Sequence, residues 1–173
     1  MRVLAINAGS ATLKFGVFES ARTLPLIDSA IDHPAVDAAT FEEIERHLHR
    51  AGVTTLDGIG HRIAHGGPLL SNAVLVDEEV EREIGKASAL APHHNPAALA
   101  GIRLTRERWP GVRHVAVFDT ACVTTFGWGL WCPMAGARTA TAHSRIEASP
   151  GFVSYAMHWP SASRSRTLQS LSR

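Results

Sequence analysis

The strongest constraint on the fold is the segment from Val3 to Phe18, which reads VLAINAGSATLKFGVF. Its first four residues are a short apolar run, typical of a strand that is buried on both faces. The sequence NAGS at residues 7–10 interrupts this run with turn-forming residues, and residues 12–18 have the composition of a second strand. The segment therefore predicts a β-hairpin with a polar tip.

The tip of the predicted hairpin carries groups that suit a polyphosphate. Asn7 supplies a carboxamide, Ser10 and Thr12 supply hydroxyls, and Lys14 supplies an ammonium group. Gly9 allows close approach of the backbone to a ligand. The same residues are also ordinary for the turn of a surface hairpin, and the G-x-x-x-x-G-K-S/T spacing of a P-loop is absent. This stretch alone leaves both interpretations open.

Composition limits the remaining possibilities. A length of 173 residues fits one ordinary domain with a possible tail. A formal net charge of +1 argues against a dedicated nucleic-acid-binding protein. Cys122 and Cys132 lack the spacing of a disulfide framework or a zinc ribbon. Because the N-terminus shows no signal peptide and no apolar run long enough to span a membrane, we expect a cytoplasmic protein without a membrane partner.

The rest of the pattern predicts alternating helices and strands. A helix from Thr40 to Ala51 would be capped by Thr40, with Glu43 as the reciprocal partner. On the next predicted helix, Glu79, Glu81 and Glu83 would form a solvated face. The other predicted elements are strands at residues 23–30, 73–76 and 114–118, and helices at residues 77–89 and 96–109.

The segment LDGIGHRIAHGG at residues 56–67 predicts a strand that enters a flexible loop. His61 and His65 have the spacing of a zinc protease, but Arg62 stands where the glutamate would be required. Arg62 itself offers a planar fork that suits a carboxylate or a phosphate. A structural salt bridge to a nearby acid is an equally good interpretation of that arginine.

Asp119 follows directly after the compact apolar strand predicted at residues 114–118. Open α/β folds place their chemistry beyond the carboxyl ends of such strands. The carboxylate could coordinate magnesium-bound water, accept a proton or orient an incoming group. The alternative is that Asp119 caps a helix.

Four segments together resemble the acetate kinase family, whose relatives include the propionate and butyrate kinases. They are NAGSATLKF (7–15), HRIAHGG (61–67), PHHNP (92–96) and VFDTA (117–121), in the order and approximate spacing of that family. The resemblance covers about residues 2–121. It implies a ribonuclease-H-like mixed sheet with flanking helices, the α/β fold class of actin, the sugar kinases and the heat-shock ATPases, here as a single truncated domain.

The resemblance also implies roles for individual residues. Asn7 would help to hold Mg²⁺, and Lys14, with Ser10 and Thr12, would bind the nucleotide phosphates; Ala11 replaces the serine usual in the family. Arg62 would bind the acyl substrate or its phosphate, and Asp119 would be the catalytic carboxylate. The implied reaction transfers the γ-phosphoryl group of ATP to acetate or a related short acyl acid. Family members are homodimers.

The match stops after residue 121, where the family continues with a Phe-His pair and this chain has Cys122. We therefore expect an N-terminal domain at residues 1–121 and a divergent tail at residues 122–173, poorly ordered from about Thr139 because its composition does not favour a packed core. A frameshift near codon 122 would explain the change, and a genuine short paralogue is the alternative. The family's second domain would then be missing, and the chain alone is expected to have little kinase activity.

Two other functions are compatible with the sequence. One is a non-catalytic module that binds phosphate or nucleotide, or that pairs with another chain. The other is a metal hydrolase whose ligands come from His61, His65, His93, His94 and Asp119.

Overall fold

The computed structural model describes residues 1–20, 22, 24–32 and 35–120. The expected divergent tail at residues 122–173 lies outside these residues. The described elements, in chain order, are β1 (Arg2–Ala8), β2 (Thr12–Glu19), β3 (Ile27–Asp32), α1 (Ala38–Arg50), β4 (Gly58–Ile63), β5 (Val74–Leu75), α2 (Glu78–Ala87), α3 (Asn95–Arg108) and β6 (Arg113–Phe118). Among these helices, none combines the length and the apolar character needed to cross a membrane.

The strands form one mixed sheet in the order β3-β2-β1-β4-β6-β5. Antiparallel pairs join β1 to β2, β2 to β3 and β5 to β6. The central strands β1, β4 and β6 are parallel, so their carboxyl ends meet at one edge of the sheet. The predicted hairpin is confirmed, and its register places Lys14 directly opposite Asn7.

The three described helices pack against the same face of the sheet. Phe41 and Ile44 of α1 belong to a core cluster with Leu4 and Ile6 of β1. Ile84 of α2 and Ile102 of α3 belong to a second cluster with Ile63 and Phe118. Paired residues in neighbouring strands point to the same side, and the register from Leu4 through Ile59 to His114 puts both clusters on one face. Asn7, Lys14 and Arg62 alternate with these core residues and belong to the opposite face.

Two local predictions differ from the structure. The third strand covers Ile27–Asp32 rather than 23–30, and it begins only after Pro25, which has no N–H for the ladder. The prediction that Thr40 caps α1 was wrong. Asp37 caps this helix, because its carboxylate accepts the N–H of Thr40 at 2.9 Å and leaves Thr40 buried within the first turn.

Candidate functional site

The site lies at the edge where the parallel strands end. Asn7 is the penultimate residue of β1, Arg62 the penultimate residue of β4, and Asp119 follows directly on β6. The N–H of Asp119 donates to the carbonyl of Ile63 at 2.9 Å, which continues the pairing of β6 with β4 past the end of the strand. Three segments that are far apart in the chain therefore present polar side chains at one place.

Arg62 and Asp119 form a two-pronged ion pair. Nε of Arg62 donates to Oδ1 of Asp119 at 2.9 Å, and Nη2 donates to Oδ2 at 2.7 Å. The third partner is Asn7, whose Oδ1 accepts from Nη1 at 3.2 Å. Because all three nitrogens of the guanidinium are hydrogen-bonded, its orientation is fixed.

This arrangement leaves Arg62 able to bind an anion. A guanidinium carries five N–H groups, two on each terminal nitrogen and one on Nε. The three bonds to Asp119 and Asn7 use Nε and one N–H on each terminal nitrogen. One N–H on each terminal nitrogen remains within the described structure, and the side chain is 43% exposed. A carboxylate or a phosphate could accept from these donors without displacing Asp119.

A cavity of about 130 Å³ lies beside this ion pair. Its wall combines three alanine methyl groups with four polar side chains from the ends of β1, β4 and β6 and the start of α3. The lining residues are Asn7, Ala8, Arg62, Ala64, His94, Ala98 and Asp119. The cavity is small, and it brings apolar methyl groups close to the Arg62 guanidinium and the Asp119 carboxylate. These properties suit a short acid or its phosphorylated form.

Lys14 lies on the strand next to this site. It pairs with Asn7 across the hairpin, so its side chain leaves the same face of the sheet as those of Asn7 and Arg62. Lys14 makes no hydrogen bond or ion pair with the described residues. Its ammonium group is therefore available to a ligand above this face of the sheet.

Ser10 and Thr12 lie at the hairpin tip and do not line the cavity. The N–H of Gly9 donates to the carbonyl of Thr12 at 3.0 Å, so the turn itself uses this donor. The hydroxyl of Thr12 donates to Asp32 of β3 at 3.0 Å. An added Cβ at Gly9 would lie 2.9 Å from the carbonyl oxygen of Thr12. The turn is therefore too tight for a larger residue at this position.

Two residues at the start of α3 lie beside the site. They belong to a loop that the sequence indicated could line a cleft, without a role in the acetate kinase-type site. His94 lines the cavity, and Asn95 lies fully buried behind it. The carboxamide of Asn95 accepts the N–H of His65 at 3.2 Å and donates to the carbonyl of the same residue at 2.8 Å. The only feature of the sequence that points to Asn95 is its place between a pair of histidines and a proline at the start of a helix.

The histidines in the described part of the chain do not form a metal centre. His61 is buried on the helix-bearing face of the sheet and stacks on His114, whereas Arg62 belongs to the opposite face and pairs with Asp119. Nδ1 of His65 accepts the N–H of Gly67 at 2.9 Å. The described residues contain no group of three or more His, Cys, Asp or Glu side chains that could hold a metal ion. The metal-hydrolase hypothesis therefore has no structural support in the described part of the chain.

Known proteins resemble this chain over most of its length. A family model described as the Acetokinase family matches residues 28–128. The chain belongs to the acetokinase family. The acetate kinase of Arthrobacter sp. (strain FB24) is 39% identical over 147 residues, which cover 76% of this chain and 38% of that protein. The acetate kinase of Geobacillus kaustophilus (strain HTA426) is 41% identical over 146 residues, which cover 69% of this chain and 37% of that protein.

Solved structures of acetokinase relatives confirm the predicted fold class. A propionate kinase from Francisella tularensis matches with a TM-score of 0.65 and 26% identity, over 78% of this chain and 42% of that one. The acetate kinase of Porphyromonas gingivalis matches with a TM-score of 0.66 and 28% identity, over 77% of this chain and 42% of that one. The chain thus spans about two fifths of the length of the relatives that it matches.

Proposed function

We propose that this chain carries the N-terminal part of an acetate kinase-type site, which transfers the γ-phosphoryl group of ATP to acetate to give acetyl phosphate and ADP. The observation that carries the proposal is the guanidinium of Arg62, held by Asp119 and Asn7 beside a small cavity at the carboxyl ends of the parallel strands. Membership of the acetokinase family supports the choice of reaction.

The geometry supports a distinct role for each side chain. The free N–H groups of Arg62 would bind the carboxylate of acetate or the phosphoryl group. The three alanine methyl groups would contact the short acyl chain. Lys14 would contact the nucleotide phosphates from the neighbouring strand, with Ser10 and Thr12 at the tip of the same hairpin. Asp119 would orient both Arg62 and the acceptor, since its carboxylate contacts the guanidinium and also lines the cavity.

The oxygen atoms at this edge also fit magnesium. The carboxylate of Asp119 and Oδ1 of Asn7 both contact the same cation, the guanidinium of Arg62, so hard oxygen ligands already converge here. Mg²⁺ prefers such ligands and usually retains several waters while binding one or two carboxylates and substrate phosphates. Asn7 and Asp119 would hold the ion through their remaining lone pairs. When bound, the ion would neutralise charge on the phosphates.

We further propose that this polypeptide by itself transfers phosphoryl groups slowly. Both charged side chains of the site are reached by solvent, since Arg62 is 43% exposed and Asp119 is 30% exposed. Phosphoryl transfer depends on positioning and on preorganised charge in a site from which water is excluded. A site open to solvent lacks much of that preorganisation.

The experiment that tests the proposal separates binding from turnover. Binding is measured by titrating the purified chain with acetyl phosphate and, separately, with ATP in the presence of magnesium. Turnover is measured in a second assay that contains ATP, magnesium and acetate, in which the acetyl phosphate formed is trapped as the hydroxamate. We expect acetyl phosphate to bind to the wild-type chain and not to an Arg62→Ala variant, with turnover far below that of a complete acetate kinase. Equal binding by both proteins would contradict the assignment of Arg62.

A non-catalytic binding module is the second candidate. The mutual neutralisation of Arg62 and Asp119 favours it, because the ion pair is already complete without a ligand. Magnesium-dependent nucleotide binding with no hydroxamate product would support the module. Measurable turnover that is lost in an Asp119→Asn variant would support the enzyme.

A further inference from the structure

Asn95 joins two walls of the cavity from behind. One wall comes from the end of β4 and its extension, with Arg62 and Ala64, and the other comes from the start of α3, with His94 and Ala98. The carboxamide of Asn95 lies between them and closes a ring of two hydrogen bonds with the backbone of His65. A third, longer contact of 3.5 Å runs from Nδ2 to the carbonyl of Ile84 at the end of α2. One buried side chain therefore connects both helices to the loop that follows Arg62.

The carboxamide does not serve as a cap for its own helix. His94 occupies the N-cap position of α3 and makes no side-chain capping bond, while both polar atoms of the Asn95 carboxamide are used on His65. A carboxamide can accept from and donate to the backbone of a single residue in this way, because its oxygen and nitrogen lie side by side. Its position at 0% exposure makes each of these bonds costly to lose.

The loop that Asn95 holds also contacts the residues around Asp119. The N–H of Gly66 lies 3.4 Å from the hydroxyl of Thr120, and the carbonyl of Ile63 accepts the N–H of Asp119. Residues 62–66 thus connect the Asn95 ring on one side to the Arg62–Asp119 ion pair on the other. A change in the position of His65 would be transmitted along this short stretch to both charged side chains.

We propose that Asn95 is a positioning residue for the ligand site: it fixes the distance between the β4 wall and the α3 wall and thereby the orientation of Arg62 relative to Asp119. The proposal rests on the proposed function in taking this cavity as the ligand site. It adds a buried residue that touches no ligand and acts through the backbone of His65.

The test compares substitutions at Asn95 with a matched control on the same helix. Asn95→Asp keeps the shape and the acceptor but loses the donor to His65, and Asn95→Ser shortens the side chain. The control is Thr105→Ala, which also removes a fully buried polar group from α3 but lies in the core around His61 and His114. All variants are made in the full chain, and their unfolding free energies are measured first, so that effects are compared at similar stability.

Two measurements follow. Hydrogen exchange by NMR is recorded for the amides of His65 and Gly66 and for the Nε–H of Arg62, which reports the bond to Asp119. Inorganic phosphate is then titrated as the probe of Arg62. For the Asn95 variants we expect exchange at these groups to rise by about tenfold, the effect of losing roughly one net hydrogen bond, and phosphate affinity to fall by a similar factor.

For Thr105→Ala we expect both quantities to stay near those of the wild-type chain once stability is taken into account. The proposal is overturned if the Asn95 variants leave the exchange of the His65 amide and the Arg62 Nε–H unchanged, or if Thr105→Ala raises them equally. Failure of the wild-type chain to bind phosphate would contradict the proposed function instead. The exchange measurement would still decide the role of Asn95, because it needs no ligand.

Discussion

The imidazole rings of His61 and His114 stack in the core beneath α3, with centroids 5.5 Å apart and planes inclined by 14°. Nε2 of His61 lies 3.2 Å from Nδ1 of His114, so one ring donates and the other accepts. The hydroxyl of Thr105 lies 3.4 Å from both nitrogens. Burial, and then the neighbouring His114, lower the pKa of His61 to about 3.

The pair predicts a loss of stability in mild acid. Burial also lowers the pKa of His114, an effect that the charge of Arg106 reinforces and the Trp109 carbonyl partly offsets. Below the ordinary histidine pKa of about 6.5 the unfolded chain binds protons that the folded chain does not. Stability is therefore complete above that pH and falls as the pH drops towards 3, by on the order of 1 kcal/mol per pH unit for His61.

Urea unfolding between pH 7 and pH 4.5 measures this slope. A His61→Leu variant removes the titrating group and should flatten the profile, whereas His93→Ala, at an exposed position on the loop before α3, should leave it unchanged. A profile that is equally steep in His61→Leu and in the wild-type chain would contradict the assignment to this pair.

Replacing Arg62 by lysine should weaken anion binding while leaving the fold intact. A lysine keeps the charge but cannot bridge both oxygens of Asp119 while presenting two donors to a ligand. We expect phosphate affinity to fall by about 10- to 100-fold, and the unfolding free energy to change by less than about 1 kcal/mol because the pair is partly exposed. Arg113→Lys is the control, since this arginine lies at the opposite end of β6.

Gly66 should not tolerate a side chain. A Cβ at this position would lie 1.9 Å from the carbonyl oxygen of Leu70, so the loop beyond β4 would have to move. We expect Gly66→Ala to cost about 1–3 kcal/mol, measured by urea unfolding. At Gly111 a Cβ would meet nothing within 4 Å, so Gly111→Ala should change stability little. Equal effects of the two substitutions would show that the loop is more adaptable than its packing indicates.

Glu81 should contribute to the packing of α2 on α3. Its carboxylate pairs with Arg103 at 3.1 Å and also with Arg106, and its side chain is only 13% exposed. We expect Glu81→Gln to lower the unfolding free energy by up to about 1 kcal/mol, and the difference to shrink in high salt. Glu78→Gln, an exposed position on the same helix, serves as the control. A loss independent of salt would indicate a packing effect instead.

Periodicity was sufficient to predict most of the architecture. The hairpin, the two helices from Glu78 and Asn95, and the strand that ends at Phe118 all follow from alternating or helical spacing of apolar residues with clear caps and breaks. The N-cap of α1 was missed because Asp37 and Thr40 are both residue types that cap helices well. Only the folded structure shows at which of them the helix begins. Glu81 was assigned to a solvated face because the sequence does not show that α3 brings two arginines to it.

The sequence singled out Asn7, Arg62 and Asp119, which the structure brings together, but it did not predict their geometry. Arg62 and Asp119 were each assigned a binding or catalytic role and a structural alternative, and the structure shows that they contact each other directly. Whether His61 is buried depends on which face of β4 its side chain occupies. Whether Asn95 is buried depends on where α3 begins. Both depend on long-range strand pairing and helix packing, which cannot be read from the local spacing of residues in the sequence.

The parallel pairing of β1, β4 and β6 also limits when the site can form. Arg62 is separated by 55 residues from Asn7 and by 57 residues from Asp119, so two long loops must close before the three side chains meet. During synthesis on the ribosome, the growing chain has no complete binding edge until Asp119 has emerged. Contacts of such high sequence separation form slowly, and the strand edges that stay unpaired in the meantime favour aggregation.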